Sequence, residues 1–411
     1  MINIKIFVFL LAMAGLVHAG EKSEDIVVGT IETIHSNALN EDKKIWVYVP
    51  KPDAGRGPEK PVYPVVYLLD GSDHFLSMMG LMEKKCRGIG HSCPEMILVA
   101  VTHNNRQREL TPTKAGSYAQ PEKINENSGG GEAFSAYLEK ELIPYINAKY
   151  PAAPYRVLVG HSLGGLTVLH NLINHSALFD AYLAIDPSMW WDNALLVKQM
   201  EVALKDNRFA NKSLYLTVAN TLAKGVSMDQ VRSGSDQESR HIRSILKLVD
   251  TLDAHPQKGL RWKWKYYPDE GHGSIPILAE YDGLNFLFDF YKLADFARLY
   301  DAKIDGAGEM KQQFEKISAH MGYQLLPDLE TMDGLGQHFL REKKLKNAHD
   351  FFSANLENYP HNALSHEGMG DYYQATGDQA RAKEAYQQAV NLDASSKARG
   401  KLDKLNGIVA R

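Results

Sequence analysis

The sequence predicts an α/β fold with a mostly parallel central sheet, followed by a small all-α domain. One observation is that short, continuous apolar runs, such as residues 65–69, 96–101 and 155–159, alternate with segments of helical spacing. Runs of this kind are typical of parallel strands that are buried on both faces. A second observation is that the chain becomes helical and repetitive after about residue 328.

The first half of the chain contains a series of predicted strands. Residues 45–50 are β-branched and aromatic, and a stretch rich in Pro and Gly ends them. Two buried strands follow at residues 65–69 and 96–101. Residues 104–131 are polar and rich in Gly, which predicts a long loop, and residues 131–150 have the apolar spacing of a helix.

The second half of the predicted sheet follows the same alternation. Strands are expected at residues 155–159, 181–185, 213–218 and 262–267, and helices at residues 166–174 and 238–253. Strands and helices that alternate at this spacing favour a parallel sheet with helical crossovers.

The C-terminal tail repeats with a period of 34 residues. Five pairs of similar residues are 34 positions apart: Gly336 and Gly370, Phe339 and Tyr373, Ala348 and Ala382, Phe352 and Tyr386, and Leu356 and Val390. This period is that of tetratricopeptide helix pairs. We therefore expect a signal peptide at 1–19, a catalytic domain at 20–298, a helical linker at 299–328 and a tetratricopeptide-like domain at 329–411, which is a candidate surface for a protein partner.

Composition and the N-terminus restrict the function further. A formal net charge of −4 with no long basic block argues against nucleic-acid binding. Lys5, the apolar residues 6–17 and the small residues before position 20 predict a cleaved signal peptide, hence an exported, periplasmic or secreted protein without a stable membrane span. Cys86 and Cys93 are then expected in an oxidising compartment, where they can form a local disulfide or stay free.

A Gly-x-Ser-x-Gly motif at residues 160–164 makes Ser162 the candidate nucleophile. It follows a predicted buried strand and begins a helix. In that setting the chain turns sharply, the serine lies at the tip of the turn, and glycines on either side leave room for it. The segment thus predicts a fold of the α/β-hydrolase type.

The serine needs a base, and His272 is the candidate. It lies on a turn of small residues after the last predicted strand, in the chain order that this fold uses. His161 is a neighbour of Ser162 in sequence only, and we expect it to have a packing role.

The acid that orients the base is ambiguous. No carboxylate directly follows the strand at 213–218, where we expect the acid. Glu238 is ranked first and Asp236 second, although both also suit the start of a helix. Asp229 is a further candidate in the loop, and Asp186 is another because it ends the preceding strand.

Other residues are expected around the reacting carbonyl. The backbone N–H groups of Leu163 and Ser72 are the candidate oxyanion donors. Trp190 and Trp191 follow a strand end, where they either line a substrate pocket or pack under the sheet rim. Arg106 and Arg108 in the long loop either meet an anionic substrate or are solvated.

Residues 26–295 resemble an esterase family that contains esterase D, the enterochelin esterases and the mycolyltransferases. The resemblance is carried by residues 66–71, 160–165, 186–191 and 269–273. It implies a serine esterase that forms an acyl-enzyme on Ser162, with siderophore or other small acyl esters as substrates and without a metal or organic cofactor, and it supports Ser72 as an oxyanion donor. The alternatives are an acyltransferase that uses an acceptor other than water, and a degenerate hydrolase that acts as a binding protein.

Overall fold

The computed structural model describes residues 25–51, 61–87, 92–206, 208–256, 259–292 and 295–408. Its centre is an eight-stranded sheet in the order β1-β2-β4-β3-β5-β6-β7-β8. The strands are β1 Thr30–Ser36, β2 Glu41–Tyr48, β3 Tyr63–Leu68, β4 Ile97–Val101, β5 Ala152–His161, β6 Ala181–Ile185, β7 Lys212–Ala219 and β8 Leu260–Tyr267. Strands β3 to β8 pair in parallel, and β1 and β2 pair antiparallel at one edge. The predicted α/β class and mostly parallel sheet are confirmed.

Helices cover both faces of the sheet. They are α1 Gly71–Lys85, α2 Arg106–Glu109, α3 Gly131–Tyr137, α4 Ile143–Lys149, α5 Leu163–Asn174, α6 Trp191–Ala203, α7 Met228–Val231, α8 Arg240–Ala254, α9 Pro276–Leu287, α10 Gly306–Met321, α11 Leu329–Arg341, α12 Leu345–Asn358, α13 Ala363–Ala375, α14 Gln379–Leu392 and α15 Ala398–Leu405. Helices α3, α4, α5, α6 and α8 pack on one face, and α1 and α9 pack on the other.

The central strands are apolar on both faces because both faces are covered. Along β3, Val65 and Tyr67 belong to the core on the α5 side, whereas Val66 and Leu68 belong to the core on the α1 side. Successive side chains of a strand point to opposite faces of the sheet, so a strand is apolar at every position only if both faces are buried.

The tail consists of helix pairs that extend the core on the α1 side. Helices α10 to α13 contribute to the same buried cluster as α9. In the two pairs α11–α12 and α13–α14, a glycine of the first helix faces an aromatic ring of the second: a Cβ on Gly336 would lie 2.5 Å from the Phe352 ring, and one on Gly370 would lie 2.4 Å from the Tyr386 ring. The 34-residue period therefore corresponds to a repeated close contact, while the tetratricopeptide assignment and the domain boundaries stay predictions.

Two predictions concern export. Cys86 and Cys93 form a disulfide with a Cα–Cα distance of 4.6 Å, so that of the two alternatives the paired form is present. The predicted signal peptide lies outside the described residues. Every helix among the described residues is too short or too polar to cross a bilayer.

Candidate active site

Ser162 lies at the tip of a sharp turn between β5 and α5. Its backbone has φ 60° and ψ −116°, a left-handed conformation that is costly for a residue with a side chain. The turn can close only because Gly160 lacks a side chain, since a Cβ there would lie 2.4 Å from the carbonyl carbon of Gly164. The strained turn holds the Ser162 hydroxyl at the carboxyl edge of the sheet.

His272 reaches Ser162 from the turn after β8. Its Nε2 is 3.0 Å from Ser162 Oγ, which is hydrogen-bonding distance. Ser188 Oγ is 3.3 Å from the same hydroxyl. The serine and histidine singled out in the sequence are therefore in contact, although 110 positions separate them.

Asp186, at the end of β6, contacts the other nitrogen of His272. Its Oδ2 lies 2.6 Å from His272 Nδ1 and 2.9 Å from His241 Nε2, and its Oδ1 accepts a hydrogen bond of 2.9 Å from the backbone N–H of Ala219. The carboxylate is fully buried, and its residue has a left-handed φ of 39°.

The surroundings of Asp186 keep its carboxylate ionised. Burial alone would raise the pKa, but the charge of His241 and hydrogen bonds from His241, His272 and Ala219 outweigh burial and lower the pKa well below its ordinary value. An ionised carboxylate at Nδ1 fixes the tautomer in which His272 Nε2 accepts a proton from serine.

The ranking of Glu238 and Asp236 as the acid is corrected by these contacts. The Asp236 carboxylate accepts a hydrogen bond of 2.6 Å from the N–H of Ser239 and pairs with Arg243, so it supports the start of α8. Glu238 is exposed, and within the described ranges its hydrogen bond is at the backbone carbonyl, which accepts from the Tyr118 hydroxyl at 2.9 Å.

Both carboxylates suit the acid in sequence because they follow β7, but the contacts of these two residues are with Ser239, Arg243 and Tyr118, whereas Asp186 contacts His272. Asp229 is exposed too, and it lies in the short helix α7 between β7 and α8.

Sequence reasoning misses His241. It lies in the first turn of α8 and its ring is nearly perpendicular to that of His272, at a centroid distance of 5.0 Å. No local motif marks it, since its role depends on a contact with Asp186, 55 positions earlier.

His161 packs against the His272 ring, which agrees with the packing role expected for it. Its ring centroid is 4.5 Å from that of His272. Burial, followed by the charge of His272, lowers the pKa of His161 to about 4, so His161 stays neutral at neutral pH. A neutral ring here avoids repulsion when His272 becomes charged.

The two candidate oxyanion donors begin two helices that meet beside Ser162. Leu163 is the first residue of α5 and Ser72 is the second residue of α1. A Cβ on Gly164 would lie 3.1 Å from the Asp70 carboxylate, which places the start of α5 against the start of α1. The first N–H groups of a helix have no partner within it and favour negative charge.

Arg106 neutralises the charge of the Asp70 carboxylate, which lies where the first turns of α1 and α5 meet. Its guanidinium donates to both oxygens of Asp70, at 2.6 and 2.8 Å, and to the carbonyl of His161 at 3.3 Å. Burial would raise the pKa of Asp70, but the hydrogen bonds and charge of Arg106 lower it below its ordinary value. Arg108 instead pairs with Glu41.

The two tryptophans have different positions. Trp191 is buried, with 1% exposed, and its indole donates to the Thr113 carbonyl at 3.1 Å. Its assignment to a substrate pocket is therefore corrected to packing. Trp190 is partly exposed and contacts Tyr118 edge to face at 5.1 Å, and the Arg240 guanidinium lies 4.7 Å from the Tyr118 ring and 5.1 Å from the Trp190 ring.

Several known proteins with similar sequences or folds are named as esterases or hydrolases. The chain is 26% identical over 279 residues to the ferri-bacillibactin esterase BesA of Bacillus subtilis, covering 63% of this chain and 90% of BesA. It is 28% identical to a siderophore enterobactin esterase of Emericella nidulans, covering 54% of this chain and 81% of that protein. The crystal structure of an IroE-like serine hydrolase from Shewanella oneidensis superimposes with a TM-score of 0.67 and 29% identity, covering 80% of this chain and 99% of that one.

A family model also matches the part of the chain that contains Ser162 and Asp186. The model is that of the family described as "Putative esterase", and it matches residues 36–245, just over half of the 411 residues. The chain therefore belongs to this esterase family and is a carboxylic-ester hydrolase.

Proposed function

We propose that the protein is an exported serine esterase in which Ser162, His272 and Asp186 form the catalytic triad. The observation that carries the proposal is the continuous hydrogen-bonded series from Ser162 Oγ through both His272 nitrogens to Asp186, with distances of 3.0 and 2.6 Å. A nucleophile, a base and an orienting acid in this geometry are what acyl transfer to serine requires.

The reaction proceeds in two halves. Ser162 Oγ attacks the acyl carbonyl carbon while His272 Nε2 takes the hydroxyl proton, and the carbonyl oxygen becomes an oxyanion beside the N–H groups of Leu163 and Ser72. The ester C–O bond then breaks, and His272 returns the proton to the departing alcohol oxygen. A water molecule, deprotonated by the same histidine, releases the acid and restores Ser162.

His241 acts as a positioning residue in this scheme. Asp186 Oδ2 is shared by His241 and His272, and Oδ1 is held by Ala219. With both oxygens engaged the carboxylate cannot rotate away from His272. The charge of the group therefore stays in the position where it stabilises the imidazolium of His272.

We further propose that the substrates are siderophore esters with aromatic acyl groups. The relatives named as ferri-bacillibactin and enterobactin esterases support this class. So does the wall formed by Trp190, Tyr118 and Arg240, because aromatic rings and a guanidinium can contact a flat, electron-rich acyl group. Trp190 is two positions after Ser188, whose hydroxyl lies beside Ser162.

Export is part of the proposal. The apolar segment after Lys5 has the form of a signal peptide, and the Cys86–Cys93 disulfide suits an oxidising compartment. Cell fractionation of the producing organism, with the N-terminus of the mature protein sequenced, tests both points. Retention of an uncleaved N-terminus in the cytoplasmic fraction would refute export.

The decisive experiment treats the purified mature protein with a fluorophosphonate probe and compares it with Ser162→Ala and His272→Ala. We expect labelling of the wild type only, and turnover of p-nitrophenyl esters that both variants lose. Ferric and iron-free tris-catecholate esters are then compared with simple esters of graded chain length. Cleavage of simple esters alone would refute the siderophore proposal, and acyl transfer to added alcohols in preference to water would favour an acyltransferase.

A further inference from the structure

A second cluster of chemically active side chains lies away from the triad, between the start of α3 and the end of α5. Glu132 belongs to the first turn of α3, His170 to the last half of α5, and His175 directly follows α5. One potential ligand atom from each of the three lies within 4.8 Å of the other two. Two imidazoles and a carboxylate are a donor set that zinc prefers.

The histidine–carboxylate contacts within the cluster converge on Glu132. His175 Nε2 lies 2.8 Å from Glu132 Oε2, and His170 Nε2 lies 3.8 Å from Glu132 Oε1. The first distance is a hydrogen bond, but the second is too long for one.

The Nε2 atom of His170 is buried without a hydrogen-bond partner among the described residues. Only 6% of the His170 side chain is exposed. A buried polar atom without a partner costs free energy, so its retention suggests that it has a ligand in some state of the protein. The atom is aimed at the carboxylate of Glu132, which a shared cation would bridge.

We propose that Glu132, His170 and His175 bind a zinc ion, with water as the fourth ligand. Zinc takes ligands at about 2.0–2.1 Å in a tetrahedron, which requires ligand atoms about 3.4 Å apart. The two nitrogen–oxygen separations that involve Glu132, 2.8 and 3.8 Å, lie on either side of that value, so a shift on the order of 1 Å in the Glu132 side chain adjusts both. This side chain is 65% exposed and free to make that movement, and its exposure leaves the ion a route from solvent.

The neighbour of His170 completes the site. The Asn174 amide lies 3.0 Å from His170 Nδ1, with its NH₂ group as the donor in the structure. When the amide turns over, its oxygen accepts a hydrogen bond from Nδ1–H instead, and the lone pair of Nε2 becomes available to the metal. A group that orients the second ring nitrogen is a regular feature of histidine ligands.

The proposed ion would connect two elements that matter for the triad. Helix α5 begins at the residue after Ser162, and α3 is the next helix after α2, whose first residue is Arg106. A metal link between the end of α5 and the start of α3 would stabilise the folded protein by mass action without touching the reacting groups. This inference does not depend on the substrate class proposed above.

The triad is a rival binding site and the experiment must separate the two. The rival ligands are Asp186 and His272 of the triad together with His241, since one potential ligand atom from each lies within 4.8 Å of the other two. The untagged, metal-free protein is titrated with Co²⁺, whose visible spectrum reports a four-coordinate site, and then with Zn²⁺ by calorimetry. We compare the wild type with Glu132→Gln, His170→Ala and His272→Ala.

A matched control comes from the exposed pair His35–Asp42, which has the same histidine–carboxylate distance of 2.8 Å as His175 and Glu132 but lies outside both clusters. We expect one equivalent of Co²⁺ to bind to the wild type, to His272→Ala and to Asp42→Asn. Glu132→Gln and His170→Ala should lose the Co²⁺ spectrum and bind Zn²⁺ at least about tenfold more weakly. The wild type should also gain about 2–5 °C in Tm with excess Zn²⁺, a gain that Glu132→Gln lacks.

Three outcomes would overturn the proposal. They are the absence of binding to the wild type, full binding by Glu132→Gln, and loss of binding in His272→Ala, which would assign the ion to the triad. Glu132→Gln changes an exposed side chain, so its circular dichroism should match that of the wild type. If His170→Ala fails to fold, the comparison between Glu132→Gln and Asp42→Asn decides the question.

Discussion

Replacement of Asp186 by asparagine tests the triad assignment most directly, because the surrounding donors dictate how the new amide must lie. The N–H of Ala219 points at Oδ1, and both His272 and His241 point at Oδ2. With its amide oxygen toward Ala219, the Asp186→Asn side chain would present its NH₂ group to His272 Nδ1. The histidine would then have to accept a hydrogen bond at Nδ1 and carry its own proton on Nε2, where it could no longer take the proton of Ser162.

If the amide of the Asp186→Asn side chain turns the other way, its oxygen faces His272 and the tautomer with the proton on Nδ1 is restored. This orientation costs free energy. The NH₂ group would then face the buried N–H of Ala219, and an unmatched buried donor costs about 1–3 kcal/mol. Loss of the negative charge beside the imidazolium removes about 2 kcal/mol more, since hydrogen bonds to a charged acceptor are roughly twice as strong as neutral ones. The sum of about 4 kcal/mol corresponds to a fall in kcat of about 10³-fold.

The assay is steady-state hydrolysis of a p-nitrophenyl ester, with the rate of fluorophosphonate labelling as a second readout of nucleophile activation. Glu238→Gln and Asp236→Asn are the matched controls, because each neutralises a carboxylate that does not contact His272. We expect both controls to keep kcat within about threefold of the wild type. Loss of less than about tenfold in Asp186→Asn, or an equal loss in Glu238→Gln, would refute the assignment of the acid.

Three further predictions concern the surroundings of the triad. Arg106→Gln leaves the Asp70 carboxylate unbalanced beside the oxyanion, so kcat should fall about tenfold with little change in KM; steady-state kinetics check this, and a change in KM alone would make the arginine a substrate contact instead. Trp190→Ala should raise KM about fivefold for aromatic acyl esters but not for acetyl esters, and equal effects on both would contradict a role in recognition. Burial raises the pKa of Glu280 from 4.5 to about 8, so the folded state keeps a proton that the unfolded state releases, and stability falls as pH rises between these values. Glu280→Gln should therefore gain Tm over the wild type increasingly from pH 4.5 to 8, whereas a pH-independent difference would show that the carboxyl does not titrate in this way.

The strands, and the positions of Ser162 and His272 on two turns that meet, could be predicted because their signals are local. A buried parallel strand is apolar along its whole length, and the turn at Ser162 needs glycines at fixed offsets. The state of the two cysteines stays open in the sequence, since a short spacing permits both the paired and the free form. The position of Trp191 could not be predicted, because only the path of the chain after β6 decides which of two adjacent tryptophans turns inward.

The contact between Asp186 and His272 could not be predicted because it depends on how distant segments of the chain come together. Asp186 is a candidate in sequence because it ends a strand, but that local pattern gives it no advantage over Glu238 or Asp236. What distinguishes Asp186 is the convergence of Ala219, His241 and His272 on one carboxylate, and these residues come from β7, α8 and the turn after β8. A short segment of the sequence cannot reveal these contacts, because the residues that make them are far apart along the chain.

The strand order explains why the end of β6 suits the acid. Strands β5 and β8 are three positions apart in the sheet, about 14 Å at the usual spacing between strands, so the turn after β8 must reach back over β7 and β6 to bring His272 to Ser162. A carboxylate at the end of β6 lies along that path and meets the far side of the imidazole. The end of β7 then contributes the N–H of Ala219, and α8 contributes His241, to hold that carboxylate in place.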